Sequence, residues 1–187
     1  MFHLSKILIT FLCAVFVSGC VSNNQTPAEK RQAVNSMKNT VLTELYQQKP
    51  SVRKQIESAA GYGVFSNANI NLVLASFGGG YGVVKNNQTG KSTYMNMGEV
   101  GVGFGLGVKD FRAVFVFHNQ QTLTRFVEQG WAFGAQADAA AKASEKGAAV
   151  SGEVTLDNIT IYQLTETGLA LQATVKGTKY WKDSELN

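Results

Sequence analysis

The sequence predicts an α+β domain: a mostly antiparallel, glycine-rich curved sheet packed with N-terminal helices and one short internal helix. Three observations carry that prediction. Apolar residues recur at helical spacing in the segment before Gly61. Beyond Gly61 the period changes to two, with turn signals at short intervals. The stretch GEVGVGFGLGV, residues 98–108, then sets glycine at Gly101, Gly103, Gly105 and Gly107, with an apolar side chain at each place between. Read as one strand, it carries Val102, Phe104, Leu106 and Val108 on one face and nearly bare backbone on the other. Glycine weakens a strand, so such a run marks close approach by another segment, a ligand or a lipid tail.

The elements follow in order. Thr26-Pro27-Ala28-Glu29 starts the first helix, with a threonine cap, proline in the first helical place and glutamate in the third. Val34, Met37, Val41 and Leu45 form its narrow apolar stripe, and Lys49-Pro50 ends it. Ser51 caps a short second helix running through Ile56 to Ala60, stopped by Gly61. Tyr62 to Phe65 reads as a strand, Ser66-Asn67-Ala68-Asn69 as a turn, and Ile70 to Lys85 as one long bent strand. Residues 86–90 (NNQTG) make a hairpin connection, Lys91 to Lys109 holds the glycine alternation, and Phe111 to Phe117 is a further strand. Thr122 to Gln129 is the internal helix, closed by Gly130. The alanine-rich ADAAAKASEKGAA, residues 137–149, suits a helix, a strand edge or a loop. Ile159 to Leu164 and Leu169 to Val175 flank a turn and read as a closing hairpin. Frequent turns and strands with few helices are what define the α+β class.

The N-terminus bounds the compartment. A short start with Lys6, an apolar run from Ile7 to Val17, and small residues Ser18 and Gly19 describe a secretory signal peptide over residues 1–19. That run is too short to span a bilayer, which takes about 20 apolar residues. Val17-Ser18-Gly19-Cys20 resembles a bacterial lipobox, in which the cysteine is acylated and becomes the new N-terminus. A plain secretory signal cut near Gly19 is the competing reading. Cys13 is lost with the leader, which leaves Cys20 as the one cysteine and no disulfide within the chain. Full acylation holds more firmly than a single myristoyl chain. Val21, rather than aspartate, after the cysteine favours the outer membrane by resemblance to bacterial sorting signals. Residues 20–27 then form the lipidated cysteine and a polar tether, and residues 28–187 a single domain.

Charge is uneven. Loss of Lys6 takes the formal net charge from +4 to +3. Residues 28–57 hold six basic side chains against three acidic ones, whereas ten balance ten from residue 58 onward. The whole excess therefore sits in the first two helices.

Motifs for chemistry fail one by one. Thr89-Gly90-Lys91-Ser92 ends like a phosphate-binding loop, but the glycine needed five residues before Gly90 is Lys85. A dinucleotide fingerprint begun at Gly101-x-Gly103 meets Leu106 where its third glycine belongs. Glu99 and Lys109 bound the apolar glycine run to nine residues, too few for a membrane helix. His118 is the one histidine left after processing, no zinc-spaced cluster exists, and Asp110, Asp138 and Asp157 are scattered. The reading is therefore not an enzyme, with no catalytic residues, no metal site, no cofactor, and neither nucleotide nor nucleic acid as partner.

The first helix gives the sharper clue. Lys30, Arg31 and Lys38 fall beside its apolar stripe, with Glu29 and Glu44 farther round. Such residues can carry their charge to lipid headgroups while the stripe enters the interface. The alternative is a core helix whose stripe packs on the sheet with solvated lysines at its edges. Arg53 and Lys54 extend the basic segment, so the candidate lipid contacts are Lys30, Arg31, Lys38, Arg53 and Lys54, with Cys20 as lipidation site. Lys179-Tyr180-Trp181-Lys182 poses the same choice between interfacial anchor and strand end.

Together these segments resemble the lipid-binding SYLF domain family. The likeness covers most of residues 37–177 and rests on Gly61-Tyr62-Gly63-Val64-Phe65, Phe77-Gly78-Gly79-Gly80-Tyr81-Gly82 and the glycine alternation. It continues through Val114-Phe115-Val116-Phe117, Gly130-Trp131-Ala132-Phe133-Gly134 with Ala137-Asp138-Ala139, and Tyr162 with Gly168-Leu169. Ser66 stands where a proline is expected. The resemblance, closest to a bacterial lipoprotein branch, implies binding of phospholipid, especially anionic headgroups, with no catalytic residues to transfer. No accessory module follows the domain, so the actin-associated roles of eukaryotic members are not carried over. The expected protein is an outer-membrane lipoprotein facing the periplasm whose domain binds phospholipid surfaces. An adaptor for an envelope protein partner, and a lipid carrier with an internal acyl-chain cavity, are the alternatives.

Overall fold

A computed structural model describes residues 25–73, 75–101, 105–133, 153–156, 158–165, 168–169 and 176–187. Helix α1, Pro27–Gln48, opens as its first residues dictate. The Glu29 N–H donates to the Thr26 hydroxyl at 3.3 Å, and the Thr26 N–H donates to the Glu29 carboxylate at 2.8 Å. This reciprocal cap satisfies two donors that a helix start otherwise leaves open. The Thr26 N–H and then the Thr26 hydroxyl, both donating to it, hold the Glu29 carboxyl below the ordinary carboxylate range. Helix α2, Val52–Ser58, follows Pro50, but Ser51 gives it no side-chain cap and it ends short of Ala60. Gly61 does not stop a helix; it opens a strand.

Nine strands follow: β1 Gly61–Val73, β2 Ala75–Asn86, β3 Ser92–Gly101, β4 Gly105–Phe117, β5 Trp131–Phe133, β6 Glu153–Leu156, β7 Ile159–Thr165, β8 Gly168–Leu169 and β9 Lys176–Lys182. They form one sheet in the order β5-β9-β3-β2-β1-β4-β7-β6, with β8 paired to β7. Every pairing is antiparallel. The first four strands make a Greek key, in which β4 returns to lie beside β1. Helix α3, Gln120–Gln129, starts where the Asn119 side chain accepts the Thr122 N–H at 2.8 Å. The α+β class, the antiparallel sheet, the N-terminal helices and the internal helix all agree with the sequence reading.

Three boundaries do not. Ser66 to Asn69 is not a turn, because β1 runs through it with ladder partners on both sides, Ser66 opposite Tyr81 and Arg112. Two complete ladders outweigh the low strand preference of serine and asparagine. Ile70 to Lys85 is not one strand, because the chain reverses between Leu72 and its partner Ala75. Lys91 to Lys109 is not one strand either. Gly101 ends β3 and Gly105 begins β4, on opposite sides of the β1–β2 hairpin. Residues 102–104 lie outside the described residues, and with them the close approach expected at the bare glycine face. The 137–149 stretch lies outside them too. The Asn86 turn forms as expected: its side chain accepts the N–H groups of Gln88 and Thr89 at 2.9 and 3.0 Å, and Gly90 takes φ +71°.

Alternation sorts the core onto two faces. On one, α1 and α2 cover Val64, Val114, Val116, Tyr162 and Leu164 with Val41, Leu42, Leu45, Val52 and Ile56. On the other, α3 brings Leu123, Phe126 and Val127 against Phe65, Phe115, Phe117 and Tyr180. Phe65 meets Phe115 edge-on at 5.5 Å between centroids and Tyr180 at 4.8 Å. Its ring lies over its cross-strand partner Gly82, where a Cβ would collide with that ring and with the Val64 carbonyl. Gly79, one residue beyond Gly80 on the opposite face, meets nothing within 4 Å. Gly82→Ala is therefore expected to lose about 1–3 kcal/mol of stability, and Gly79→Ala less than about 0.5 kcal/mol. Paired urea unfolding curves check this, and coincident midpoints would contradict the packing account.

Candidate functional site

The site is built on the solvent edge of α1. Its apolar stripe is not available to a membrane: Val34, Val41 and Leu45 are buried in the core. The core-helix alternative is thus what the structure shows for the stripe. Glu44, expected farther round, reaches the sheet and pairs with Arg112 of β4, whose second guanidinium nitrogen donates at 3.3 Å.

The basic residues fall into separate groups. Lys30 pairs with Glu185, its Nζ 2.7 and 2.9 Å from the two carboxylate oxygens. Arg31 donates to the Leu186 carbonyl at 3.3 Å. Residues 183–187 thus form a clasp between α1 and β3. The Tyr94 N–H donates to the Asn187 side chain at 2.9 Å, and the Asn187 amide donates to the Tyr94 carbonyl at 2.7 Å. Lys38 sits on Asn35, donating to its Oδ1 at 3.2 Å, while the Asn35 amide donates to Tyr94 Oη at 2.9 Å and to the Arg31 carbonyl at 2.8 Å. Arg53 and Lys54 are exposed on α2, with the Arg53 guanidinium 4.2 Å over the Tyr46 ring. Tyr46 lies sixteen residues from Lys30 on α1, roughly 24 Å at 1.5 Å per residue. The two ends of the basic segment therefore do not converge. Cys20 lies outside the described residues.

Lys38 is the distinctive member. Partial burial, and then the charge of Lys85 on β2, hold its ammonium below the ordinary lysine value. Lys85 donates to the Gly90 carbonyl. Among the described residues neither lysine has a carboxylate within ion-pair distance. The half-buried Lys38 ammonium is thus left without a counter-charge among the described residues, a penalty that an incoming anion relieves. Sequence reasoning missed Lys85. Its signal was the strand alternation Tyr81, Val83, Lys85, which puts it on the face that α1 covers.

Other candidates have ordinary uses. His118, exposed at the end of β4, is 2.8 Å from the Thr160 hydroxyl. Among the described residues no group of three His, Cys, Asp or Glu could hold a metal ion, and no helix is long and apolar enough to cross a membrane. Asn67 and Glu99 meet inside the sheet's α3 side at 2.9 Å, both buried.

With this geometry in hand, similarity to known proteins narrows the class. Residues 98–187 match the family described as Ysc84, Las17-binding protein actin regulator. The matched span runs from β3 through β9 and includes α3 and the C-terminal clasp. Over 164 residues, 88% of this chain, the sequence is 35% identical to Beta cell expansion factor A of Aeromonas veronii. The chain spans 61% of that relative's length.

The lowered Lys38 ammonium has a definite pH consequence. Between its folded value and 10.5 the unfolded chain binds more protons, so this group makes stability rise with pH across that window. Thermal melts of wild type and Lys38→Gln across the alkaline range should differ by this rising contribution, absent in the variant. Parallel pH profiles would mean that Lys38 carries no such penalty.

Proposed function

We propose that this chain is a SYLF-type lipoprotein, acylated at Cys20 and held on the periplasmic side of the outer membrane, whose domain binds anionic phospholipid surfaces without catalysis. The observation that supports it most is Lys38, half-buried on α1 with its Nζ on Asn35 and, among the described residues, no carboxylate within ion-pair distance. A phosphate or phosphodiester group supplies the missing charge. The match to the Ysc84 family over residues 98–187 supports the same class.

The mechanism differs from stripe insertion, because α1 spends its stripe on the core. Binding is electrostatic. Cys20 fixes the chain to the bilayer, and the seven residue steps to Pro27 reach at most about 25 Å. Within that radius the tether raises the effective concentration of the headgroups and makes a weak second contact sufficient. Lys30, Arg31 and Lys38 face that layer first, with Arg53 and Lys54 as a second, separate contact. Lys30 and Arg31 engage lipid only by sharing their charge with Glu185 and the Leu186 carbonyl. The description of the matched family as binding a protein gives a second reading, an adaptor for an envelope protein.

Co-sedimentation of residues 21–187, which contain every described helix and strand, with anionic and neutral vesicles separates the two. Anionic vesicles should pull the protein down in a salt-sensitive way, and changing Lys30, Arg31 and Lys38 to Gln should weaken this several-fold. Equal binding by the variant would displace the contact from these residues. Absence of sedimentation by folded protein would favour the adaptor, and stoichiometric lipid on the purified protein would favour a carrier. Separately, Cys20→Ser in the full chain should abolish labelling by a tagged fatty acid and release the protein from the membrane fraction. Retained labelling would refute lipidation at this cysteine.

A further inference from the structure

Beside the part of the sheet that α1 covers, the described residues of the same face are exposed or half-buried. Val83 and Tyr94 lie under α1 with Val34 and Leu186. Two residues along each strand, Tyr81 and Asn96 are direct partners, and Asn96 is in turn the partner of Trp181 on β9. Partners across a ladder share a face, so Tyr81, Asn96 and Trp181 form one row across three strands. Tyr81 and Trp181 are the exposed large hydrophobic residues among those described, at 44% and 41%. The next row is Ala68, Gly79, Gly98 and Lys179, again direct partners. Of these four, Ala68 and Gly79 are exposed and only Lys179 carries a long side chain; on the far side of Ala68 the ladder continues to Asp110 of β4. The Trp181 indole lies down on this floor, since a Cβ at Gly98 would sit 3.2 and 3.4 Å from its ring carbons. The result is a flat surface with two amphipathic rings and a lysine, continuous with the charged edge of α1.

We infer that this row is an interfacial contact for phospholipid, with Trp181 and Tyr81 entering the headgroup–acyl boundary while Lys179 meets phosphate. The inference rests on the lipid-surface reading above and assigns it a second, apolar element. Position argues for lipid as the occupant. The tether leaves the domain at Pro27, and the first turn of α1 is fastened by Lys30 to Glu185, four residues beyond Trp181. The row therefore lies at the end of the molecule where the anchor enters. Chemistry agrees, because tryptophan and tyrosine present an apolar body and a polar tip and settle at membrane–water boundaries. The buried stripe of α1 leaves this role to the sheet.

The test uses residues 21–187 and vesicles of phosphatidylethanolamine and phosphatidylglycerol, with and without bromine on the acyl chains. Tryptophan emission of the wild type should move to shorter wavelength on vesicles and be quenched by the brominated lipid. Trp181→Phe, a mild change at an exposed ring, leaves Trp131 and should lose most of that shift and quenching. Tyr81→Ala with Trp181→Ala should lower partitioning roughly tenfold, ~1.4 kcal/mol, with the circular dichroism spectrum unchanged. If wild type sediments with vesicles but Trp181→Phe shows the same shift and quenching, this surface is not the contact and the basic-edge reading stands alone. If folded wild type does not sediment, both readings fall.

Discussion

The fold depends on one contact, the Phe65 ring lying across the backbone of Gly82. An aromatic side chain normally stands off a sheet, propped by the Cβ atoms of its neighbours. With Gly82 as its partner on β2 and Gly63 two residues before it, Phe65 lacks such props on that side and its ring settles over the β2 backbone. From that position it touches Phe115, Phe126 and Tyr180, so β1, β4, α3 and β9 meet at one ring. Clusters of this kind contribute beyond their buried area through edge-on geometry. Losing the ring is of the order of 3–5 kcal/mol, a large share of a domain's net stability. The glycines of this sheet are therefore not gaps. They are the complement of aromatic rings.

The same device appears on the opposite face with the opposite outcome. Trp181 lies over Gly98 as Phe65 lies over Gly82, but it stays exposed and none of the described helices covers it. α1 crosses the sheet above it and turns its stripe to Val64, Val83 and Val114. A sheet with one half-covered face has an inside and an outside on the same strands. Tyr81 and Val83 are two residues apart on β2, one in solvent and one fully buried. This boundary makes the open half a distinct surface rather than a frayed edge of the core.

Much of this was legible in the chain. The Thr26 cap and the Lys49-Pro50 stop are local chemistry, and the helix they bound runs from Pro27 to Gln48. The alternation in Val114 to Phe117 correctly implied a strand, and each of its side chains is buried on alternating faces. What failed was punctuation within the sheet. Ser66-Asn67-Ala68-Asn69 has turn composition, yet β1 is central and Asn67 has a buried carboxylate partner in Glu99, thirty-two residues away. The reversal between Leu72 and Ala75 falls among apolar residues that carry no turn signal. For the site, the basic residues were visible but their company was not. Lys30 and Arg31 meet the C-terminal residues across 155 positions, and Lys38 sits on Asn35, which reaches Tyr94 on β3. Such contacts are products of topology, which residue spacing along one helix does not encode.

The C-terminal clasp secures the start of α1. A helix's opening turn is the place where it frays most easily. Here that turn is fastened to the far end of the chain. The Lys30–Glu185 pair is exposed and in solvent is worth at most about 1 kcal/mol. Leu186 matters more, because it is buried with Val34 and Val83, a contribution of about 1.5–3 kcal/mol for a fully buried leucine. Its backbone is fixed by the Asp183 carboxylate, which accepts the N–H groups of Glu185 and Leu186 at 2.8 and 3.0 Å. Asp183 in turn donates its own N–H to the Tyr94 carbonyl at 3.0 Å. The opening turn of α1 is thereby tied through Leu186 and Asp183 to β3 and to the end of β9, the strands that carry Asn96 and Trp181.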